Sequence, residues 1–374
     1  MTDKLNFLEA SFLIIVVVIT HIILEFPNEI IKSTGSSAVL NIVYVTLLSI
    51  LFFLFVEKLL KPFKGEDILY VAEYVGGKYL KRLLAVIYII YFILISSIII
   101  RGFSATLNVV YFPKAPIFLI VISFILTSVI AVLFGSRNVV KANTLLVPII
   151  LFTMVIVFVS SFKNFNISRF YPIFGKGVNE TFGKGISNIY VFGEMIYIYL
   201  IIPHLRNIKD FKKVGVLSII LSALYLICSV VSIMMLLPFV SSGIDVLSVY
   251  LSTKTIKLGH FMPRSDTMFI FIWIFNFLLY TSVILLYIGK VYRESFELKK
   301  KDLVIYISAT IIFLLAIIPQ NPLQILFFKN TIYKALSIII VFILSPLILI
   351  AGNIKYKVTN NTNNIKTINN IFTN

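Results

Sequence analysis

The sequence predicts an all-helical integral membrane protein with ten membrane-spanning helices and almost no soluble domain. Hydrophobic residues make up 59% of the 374 positions and charged residues only 13%, and the mean hydropathy is +1.02. A soluble domain carries about 45–50% apolar and about 25% charged residues. The chain therefore lacks the polar surface that a soluble domain of this length would need.

Ten apolar runs are long enough to cross the roughly 30 Å hydrocarbon layer of a bilayer. The first run is expected to stay in the mature protein, because its N-terminal flank is short and weakly basic and no small-residue cleavage site follows it. The predicted spans are Phe7–Leu24, Ala38–Val56, Leu83–Ile100, Pro116–Phe134, Thr144–Ser160, Ile186–Pro203, Val214–Val240, Met268–Gly289, Leu303–Ile318 and Ala335–Gly352.

The net charge of +17 is distributed unevenly between the loops. With the N-terminus placed inside, the inner loops and ends hold 21 Lys and Arg residues and the outer loops hold 11. This bias follows the positive-inside rule and predicts that both termini are cytoplasmic. We interpret the basic charge as a topology signal and as contact with anionic lipid, not as a nucleic-acid groove.

Ten spans divide into two sets of five, and an odd number in each set requires the second set to run inverted to the first. In secondary transporters with inverted repeats, broken helices at matching positions line a site near the bilayer midplane. Spans one and six are the matching pair here. Span one carries His21 and Glu25 before Pro27, which cannot donate a backbone hydrogen bond, and span six carries Gly193-Glu194. The pattern predicts broken helices 1 and 6.

Glu194 is the acid that most needs a compensating partner. An acid at the centre of a membrane helix costs about 2.5–3.5 kcal/mol on insertion scales, so it should face a cavity or a partner. It is either part of a ligand site or a structural acid that bonds to a neighbouring helix. Arg101, near the outer end of span three, is either an interfacial cation that reaches the headgroups or a ligand or gating residue.

The other polar residues in the spans leave similar alternatives open. His21 is a packing partner, a proton-sensitive group or a residue that lines a site. Asp266, at the start of span eight, suits the first turn of a helix because the helix dipole favours an acid there. The hydroxyls of Tyr280 and Thr281 suit a small ligand and helix packing equally well.

Signatures of catalysis and of cofactor binding are missing from the sequence. The three histidines are scattered, and no HExxH, P-loop or GxSxG motif occurs. The single cysteine, Cys228, excludes an intramolecular disulfide or a multi-cysteine metal site. We therefore expect neither an enzyme nor a cofactor or metal.

Four segments, in order, resemble the GerB family of spore germination proteins, the permease-like subunits of nutrient germinant receptors. The stretch "FPNEIIKSTG" places Pro27 and Gly35 eight apart after span one, and "FYPIFGKG" is similar to the family's P-x-x-G-x-G outer loop. "VFGEMIYIYLIIPHL" resembles its span six, and "GHFMPRSDTMFIFIWIF" its approach to span eight. One departure concerns the break of span one, where the family usually has glycines and this chain has Thr20 and Ile22.

The resemblance implies an amino acid–polyamine–organocation permease-like fold of the leucine-transporter (LeuT) type, with a 5+5 inverted repeat. It also implies location in the inner membrane of a spore and a complex with a larger A-type subunit and a lipoprotein C-type subunit. The family's task is to bind a small nutrient, often an amino acid, and to pass on a signal for germination.

In the leucine-transporter arrangement, spans three and eight face the two helix breaks. The nutrient is therefore expected among Thr20, His21, Ile22, Ser97, Gly193, Glu194, Met195, Tyr280 and Thr281. Residues with a gating or structural role are expected at Glu25, Pro27, Arg101 and Asp266.

Two rival functions stay open at the level of the sequence. One is a working amino-acid permease or ion-coupled transporter, which needs the same cavity as a receptor. The other is a membrane scaffold with an empty pocket. For either, residues 1–357 form one polytopic membrane domain, and the Asn-rich residues 358–374 are expected to be a disordered tail.

Overall fold

The computed structural model describes residues 4–24, 26–236, 265–297 and 301–372, and this part of the chain is almost entirely helical. We number the main helices α1 (Phe7–Leu24), α2 (Phe26–Thr34), α3 (Ala38–Leu60), α4 (Ile68–Val110), α5 (Ile117–Leu133), α6 (Ser136–Ser161), α7 (Asn179–His204), α8 (Phe211–Leu236), α9 (Ser265–Phe296), α10 (Lys301–Ile317) and α11, which is continuous from Pro322–Phe328 to Ser345–Phe372.

Seven helical stretches are long and apolar enough to cross a membrane, and α1, α5 and α10 are shorter apolar helices. Each of the ten predicted spans coincides with one of these elements. The number of ten membrane crossings stays a prediction, as does the boundary of the polar tail. Helix α11 extends to Phe372.

The two predicted breaks fall in spans one and six. Helix α1 is described as far as Leu24 and α2 from Phe26, and Glu25 between them lies outside the described residues. Residues 20–22 are helical and Pro27 is the second residue of α2. The break in span one stays a prediction. In α7 the backbone leaves the helical region at Phe192 (φ −93°, ψ 20°).

Helix α7 occupies the centre of the bundle. Its most apolar window is 83% buried, whereas that of the stretch Ser136–Asn164 is only 33% buried. Helix α1 packs against α6, α7, α8 and α9, while α4 packs against α9, α10 and α11. The outward sides of the peripheral helices carry exposed apolar residues such as Leu51 and Phe152, as expected for a surface that faces lipid.

Two of the segments that carry the family resemblance contact each other. The backbone N–H of Lys176 donates to the carbonyl of Thr34 at 3.0 Å, and Ser36 Oγ donates to the carbonyl of Pro172. One turn further on, Asn41 Nδ2 donates to the carbonyl of Thr181 at 2.7 Å. The loop before α7 is thereby fastened to the chain between α2 and α3.

Candidate functional site

One acid and one histidine meet where the end of α1 contacts the middle of α7. His21 Nε2, in the last turn of α1, lies 2.6 Å from Glu194 Oε1, which follows the break in α7. Their side chains are 0% and 1% exposed. Each compensates for the burial of the other, which is the condition under which ionisable side chains persist inside a membrane protein.

Aromatic rings surround the histidine. The His21 ring stacks on Tyr333 at a centroid distance of 4.9 Å and on Phe26 at 5.4 Å. Tyr280 meets it edge-on at 5.6 Å, with its hydroxyl 3.4 Å from His21 Nε2. These rings come from α2, α9 and α11. Together with α7, which carries Glu194, four parts of the chain converge on His21.

Glu194 is also surrounded by tyrosines. Four buried phenols lie within electrostatic range of its carboxylate, and they belong to Tyr91, Tyr197, Tyr280 and Tyr333. Among the described residues of this centre, the Tyr197 hydroxyl, His21 Nδ1 and Glu194 Oε1 are buried without a hydrogen-bond partner. Buried polar atoms normally have a partner, so these three atoms can bond to a bound molecule or water.

Gly193 allows the helices to come close enough to form this centre. A Cβ atom at Gly193 would lie 2.6 Å from Ser337 Oγ and 2.7 Å from Ser337 Cβ on α11. The Tyr91 hydroxyl bonds to Ser337 Oγ at 3.0 Å and donates to the Gly193 carbonyl at 3.3 Å. Helices α4, α7 and α11 therefore meet at one glycine.

The remaining expected ligand residues are buried, but the side chains of several of them already form hydrogen bonds within or between helices. Thr20 Oγ1 donates to Val16 and accepts from Asn276 Nδ2 at 2.8 Å. The hydroxyls of Ser97 and Thr281 donate to carbonyls of their own helices. The apolar side chains of Ile22 and Met195 are 0% and 3% exposed. The direct contacts thus join His21, Glu194 and Tyr280, while ligand binding by all nine residues stays a prediction.

A buried ion pair covers one side of this centre. Lys329 Nζ lies 3.5 Å from Glu29 Oε1 and 5.0 Å from the centroid of the Phe26 ring. The Tyr190 hydroxyl donates to the other oxygen of Glu29. Because Phe26 also stacks on His21, this outer cluster of Phe26, Glu29, Tyr190 and Lys329 rests directly on the site.

A second buried charge cluster lies at the opposite end of the bundle. Lys290 Nζ, on α9, is 3.1 Å from Asp67 Oδ2 and 3.7 Å from Glu294 Oε2, and it donates to the carbonyl of Leu200 on α7. Asp67 also caps α4 by accepting from the backbone N–H groups of Leu69 and Tyr70. This inner cluster of Asp67, Lys290 and Glu294 ties α4 and α9 to the end of α7.

The N-terminal segment closes the same end. Leu5 donates its N–H to the His204 carbonyl at 2.7 Å and accepts from the N–H of Arg206 at 2.8 Å. Lys4 Nζ donates to the Pro203 carbonyl at 2.7 Å. The chain ahead of α1 is thus bonded to the end of α7.

The expected gating residues have different outcomes. Arg101 is 6% exposed and donates to the carbonyl of Pro319, so the interpretation of Arg101 as a cation that reaches the headgroups is wrong. Its guanidinium instead holds α4 to the end of α10. Glu25 lies outside the described residues. Asp266 belongs to the first turn of α9, but its side chain also lies outside them.

The sequence analysis predicted Tyr280 but missed Phe26 and Tyr333 beside the His21–Glu194 pair, and it missed both charge clusters. Lys290 and Lys329 were assigned to loops because the predicted spans end at Gly289 and begin at Ala335, whereas the helices include both lysines. A lysine that directly continues an apolar run was the available signal. In the parts of the chain that the structure describes, no group of three or more His, Cys, Asp or Glu is arranged to hold a metal ion.

Comparison with known sequences identifies related proteins. Residues 4–325 match the family described as "Spore germination protein". Spore germination protein B2 of Bacillus subtilis (strain 168) is 23% identical over 222 residues, 59% of this chain, and the match spans 60% of that protein's length. Spore germination protein YndE of the same organism is 19% identical over 342 residues, 88% of this chain and 92% of its own.

Comparison with solved structures identifies the fold as that of LeuT-type transporters. Mhp1, a nucleobase-cation-symport-1 family transporter in a closed conformation with bromovinylhydantoin bound, superposes with a TM-score of 0.68 and 10% identity over 93% of this chain and 78% of its own. MhsT in complex with L-phenylalanine gives 0.66 and 12% over 95% and 99%. Identities this low establish the shared architecture alone.

Proposed function

The chain belongs to the spore germination protein family, and from this premise we propose that it is the membrane subunit of a spore nutrient germinant receptor. In this role it binds a small nutrient, an amino acid, between the two broken helices. Binding changes the conformation of the bundle and triggers germination. The proposal includes residence in the inner membrane of the spore and assembly with an A-type and a C-type receptor subunit.

The observation that carries the proposal is the buried His21–Glu194 pair, two residues beyond the non-helical turn at Phe192. Glu194 can accept hydrogen bonds from the ammonium group of an amino acid. A break in a helix leaves backbone N–H groups that can donate to the carboxylate of the same ligand. The surrounding aromatic rings would contact the side chain of the nutrient and set its size.

The His21–Glu194 pair is closed off on both sides, and this favours a protein that switches between two conformations. The outer cluster covers the pair on one side, and the inner cluster with the N-terminal segment closes the opposite end. A ligand shifts such an equilibrium only by binding one conformation more tightly than the other. A nutrient that bonds to Glu194 competes with His21 for the carboxylate and so acts on the contact that joins α1 to α7.

A working amino-acid transporter is the second candidate, and the fold favours it, because both superposed proteins are LeuT-type transporters. Family and fold resemble membrane transporters and receptors rather than enzymes. Uptake of labelled nutrient into proteoliposomes that hold the purified chain separates the two candidates. Accumulation above the level of binding indicates a transporter, and saturable binding without accumulation indicates a receptor.

The test of the binding site compares two Glu→Gln substitutions on the same helix. Glu194→Gln should weaken binding of the active amino acid about 10- to 100-fold, because a hydrogen bond to a charged group contributes about 1.5–3 kcal/mol. The matched control is Glu180→Gln, since Glu180 lies at the start of α7 and pairs with the exposed Lys184. Binding is measured on purified protein in nanodiscs and germination on spores with equal receptor levels.

Wild-type affinity and wild-type nutrient sensitivity in Glu194→Gln would contradict the proposal. Loss of binding in both variants would also contradict it, because the effect would then not be specific to the buried carboxylate. Loss in Glu194→Gln alone, with the thermal stability of the protein retained, supports a ligand site at this residue.

A further inference from the structure

A cavity that is separate from the His21–Glu194 centre opens at the end of the bundle that holds the N-terminal segment. Its volume is about 420 Å³. One wall is the end of α3 and the turn that follows it, from Glu57 to Gly65, and the other is the chain from Ile202 to Lys212. The cavity lies at the end of the apolar helix α3 and the start of the apolar helix α8.

The lining is strongly basic. Lys61 and Lys64 lie on one wall and Lys209 and Lys212 on the other, and Glu57 is the only acid among the lining residues. All four lysines are exposed. Within the described ranges, none of their ammonium groups forms an ion pair with a carboxylate. The cavity therefore presents four cations to an anion from two sides.

The floor between the lysines is apolar. Leu60, Ile202 and Phe211 are buried there, and Ile208 is 52% exposed at the edge. A soluble anion gains nothing from such a floor, whereas a phospholipid can place its glycerol and first methylene groups on it. Basic side chains around an apolar floor at a membrane interface match a headgroup and the start of its acyl chains.

The two walls are held at a fixed distance before any ligand binds. Gly65 has a φ of +97°, and a Cβ atom there would lie 2.5 Å from Cδ1 of Ile208. On the opposite wall, the Asn207 side chain accepts from the N–H of Lys209 at 3.1 Å. Close packing of the turn against Ile208 and this cap keep the lysine-bearing segments in place.

We propose that this cavity is a binding site for an anionic phospholipid, with the headgroup phosphate held between Lys61 and Lys64 on one wall and Lys209 and Lys212 on the other. The proposed lipid site is also connected to the inner cluster through the chain. Gly65 is two residues from Asp67 of the inner cluster, and Ile202 is two residues from Leu200, which accepts from Lys290. A bound lipid therefore holds together the two segments that the inner cluster joins.

The experiment uses a matched pair of double variants in the full chain. Lys61→Gln/Lys212→Gln removes one lysine from each wall. Lys58→Gln/Lys213→Gln removes the same charge from exposed neighbours, within three residues in the sequence, that do not line the cavity. Phosphatidylglycerol and phosphatidylcholine are titrated into purified detergent-solubilised protein, and bound lipid is counted by native mass spectrometry.

We expect the wild type and Lys58→Gln/Lys213→Gln to retain phosphatidylglycerol in preference to phosphatidylcholine. In Lys61→Gln/Lys212→Gln the affinity for phosphatidylglycerol should fall about 30-fold, which corresponds to about 1 kcal/mol for each lysine near an anionic surface. If this variant does not fold, Lys64→Gln/Lys209→Gln replaces it, because both lysines lie outside the long helices.

Three results would overturn the proposal. One is equal loss of phosphatidylglycerol in the cavity variant and the matched control, which would show only general attraction between charges. Another is equal retention of the two lipids by the wild type. The third is displacement of phosphatidylglycerol by millimolar inorganic phosphate, which would show that the cavity takes a free anion and not a lipid.

Discussion

Gly193 of α7 and Ser337 of α11 face each other at close range. A Cβ atom at residue 193 would lie only 2.6 Å from Ser337 Oγ. Gly193→Ala should therefore push the two helices apart or displace the serine. Overpacking of this kind typically costs about 1–3 kcal/mol. We expect a lower midpoint in a thermal unfolding measurement on the purified protein, together with weaker nutrient binding.

A glycine in another span provides the control. At Gly289 the nearest atom to an added Cβ would be Ile305 Cγ1 at 3.7 Å, an ordinary contact, so Gly289→Ala should leave the unfolding midpoint nearly unchanged. Ser337→Gly removes both clashing atoms and should restore much of the stability of Gly193→Ala. If the double variant is no more stable than Gly193→Ala alone, steric conflict with Ser337 is not the cause.

At this scale the sequence indicated Glu194 correctly as a buried acid that needs a partner, because the cost of burying a charge depends on residue type and depth alone. His21 was one of three interpretations. The resemblance placed both residues and Tyr280 in one expected ligand site, but their direct contact depends on how α1 crosses α7, which no residue pattern indicates. The rings of Phe26 and Tyr333 were not predicted for the same reason.

Helices α4 and α9 are joined by the Asp67–Lys290 pair, and this pair can be tested by charge removal that preserves the cap. Asparagine caps a helix about as well as aspartate, so Asp67→Asn removes the charge and keeps the bonds to Leu69 and Tyr70. Lys290 would then keep its bond to the Leu200 carbonyl and only the longer of its two carboxylate contacts, the one to Glu294. Breaking a buried pair costs about 3–5 kcal/mol, and we expect a large fall in the unfolding midpoint.

Two further variants show whether the loss comes from the unpaired lysine. Lys290→Met in the Asp67→Asn background should recover part of the stability, because no buried cation is left without its partner. On the same helix α4, Glu73 pairs with Lys81 where the side chains are 34% and 18% exposed, so Glu73→Gln should cost less than about 1 kcal/mol. Equal effects of Asp67→Asn and Glu73→Gln would contradict a special role for the buried pair.

The elements themselves were largely predictable, because apolar runs of 16 or more residues have few alternatives to a membrane helix. Their ends were less predictable. A hydropathy pattern stops at the first charge, whereas α9 continues from Gly289 to Phe296 and carries Lys290 into a buried pair. Residues 20–22 are helical, although the resemblance placed glycines of the family's break there, and glycine opens a helix more readily than Thr20 or Ile22 does.

For the molecule as a whole, topology is the prediction that labelling can decide. The structure places the described ends of the chain on one face, since Leu5 bonds to the end of α7 and Lys355 Nζ donates to the carbonyl of Tyr74 at 2.7 Å. With Cys228 replaced by serine, a membrane-impermeant maleimide should label Val178→Cys in intact cells. It should label Lys78→Cys only after permeabilisation. Val178 and Lys78 are both well exposed.

Labelling of Lys78→Cys in intact cells, with Val178→Cys protected, would contradict the cytoplasmic location of both ends. It would leave the fold intact, because the superposition on LeuT-type transporters does not depend on which face is inside. The inverted arrangement of five and five spans was predictable from their number and from the matching interruptions. Packing of the bundle was not, since helices with apolar residues on every side carry no signal of which side faces the centre.

The two charge clusters at opposite ends of the bundle have a consequence for how sharply such a protein can respond. Reversing an equilibrium from 1:99 to 99:1 requires a ligand to prefer the new conformation about 10⁴-fold, or about 5.5 kcal/mol. In the proposed receptor role, the strength of the Glu29–Lys329 and Asp67–Lys290 pairs sets that threshold as much as the affinity of the pocket does.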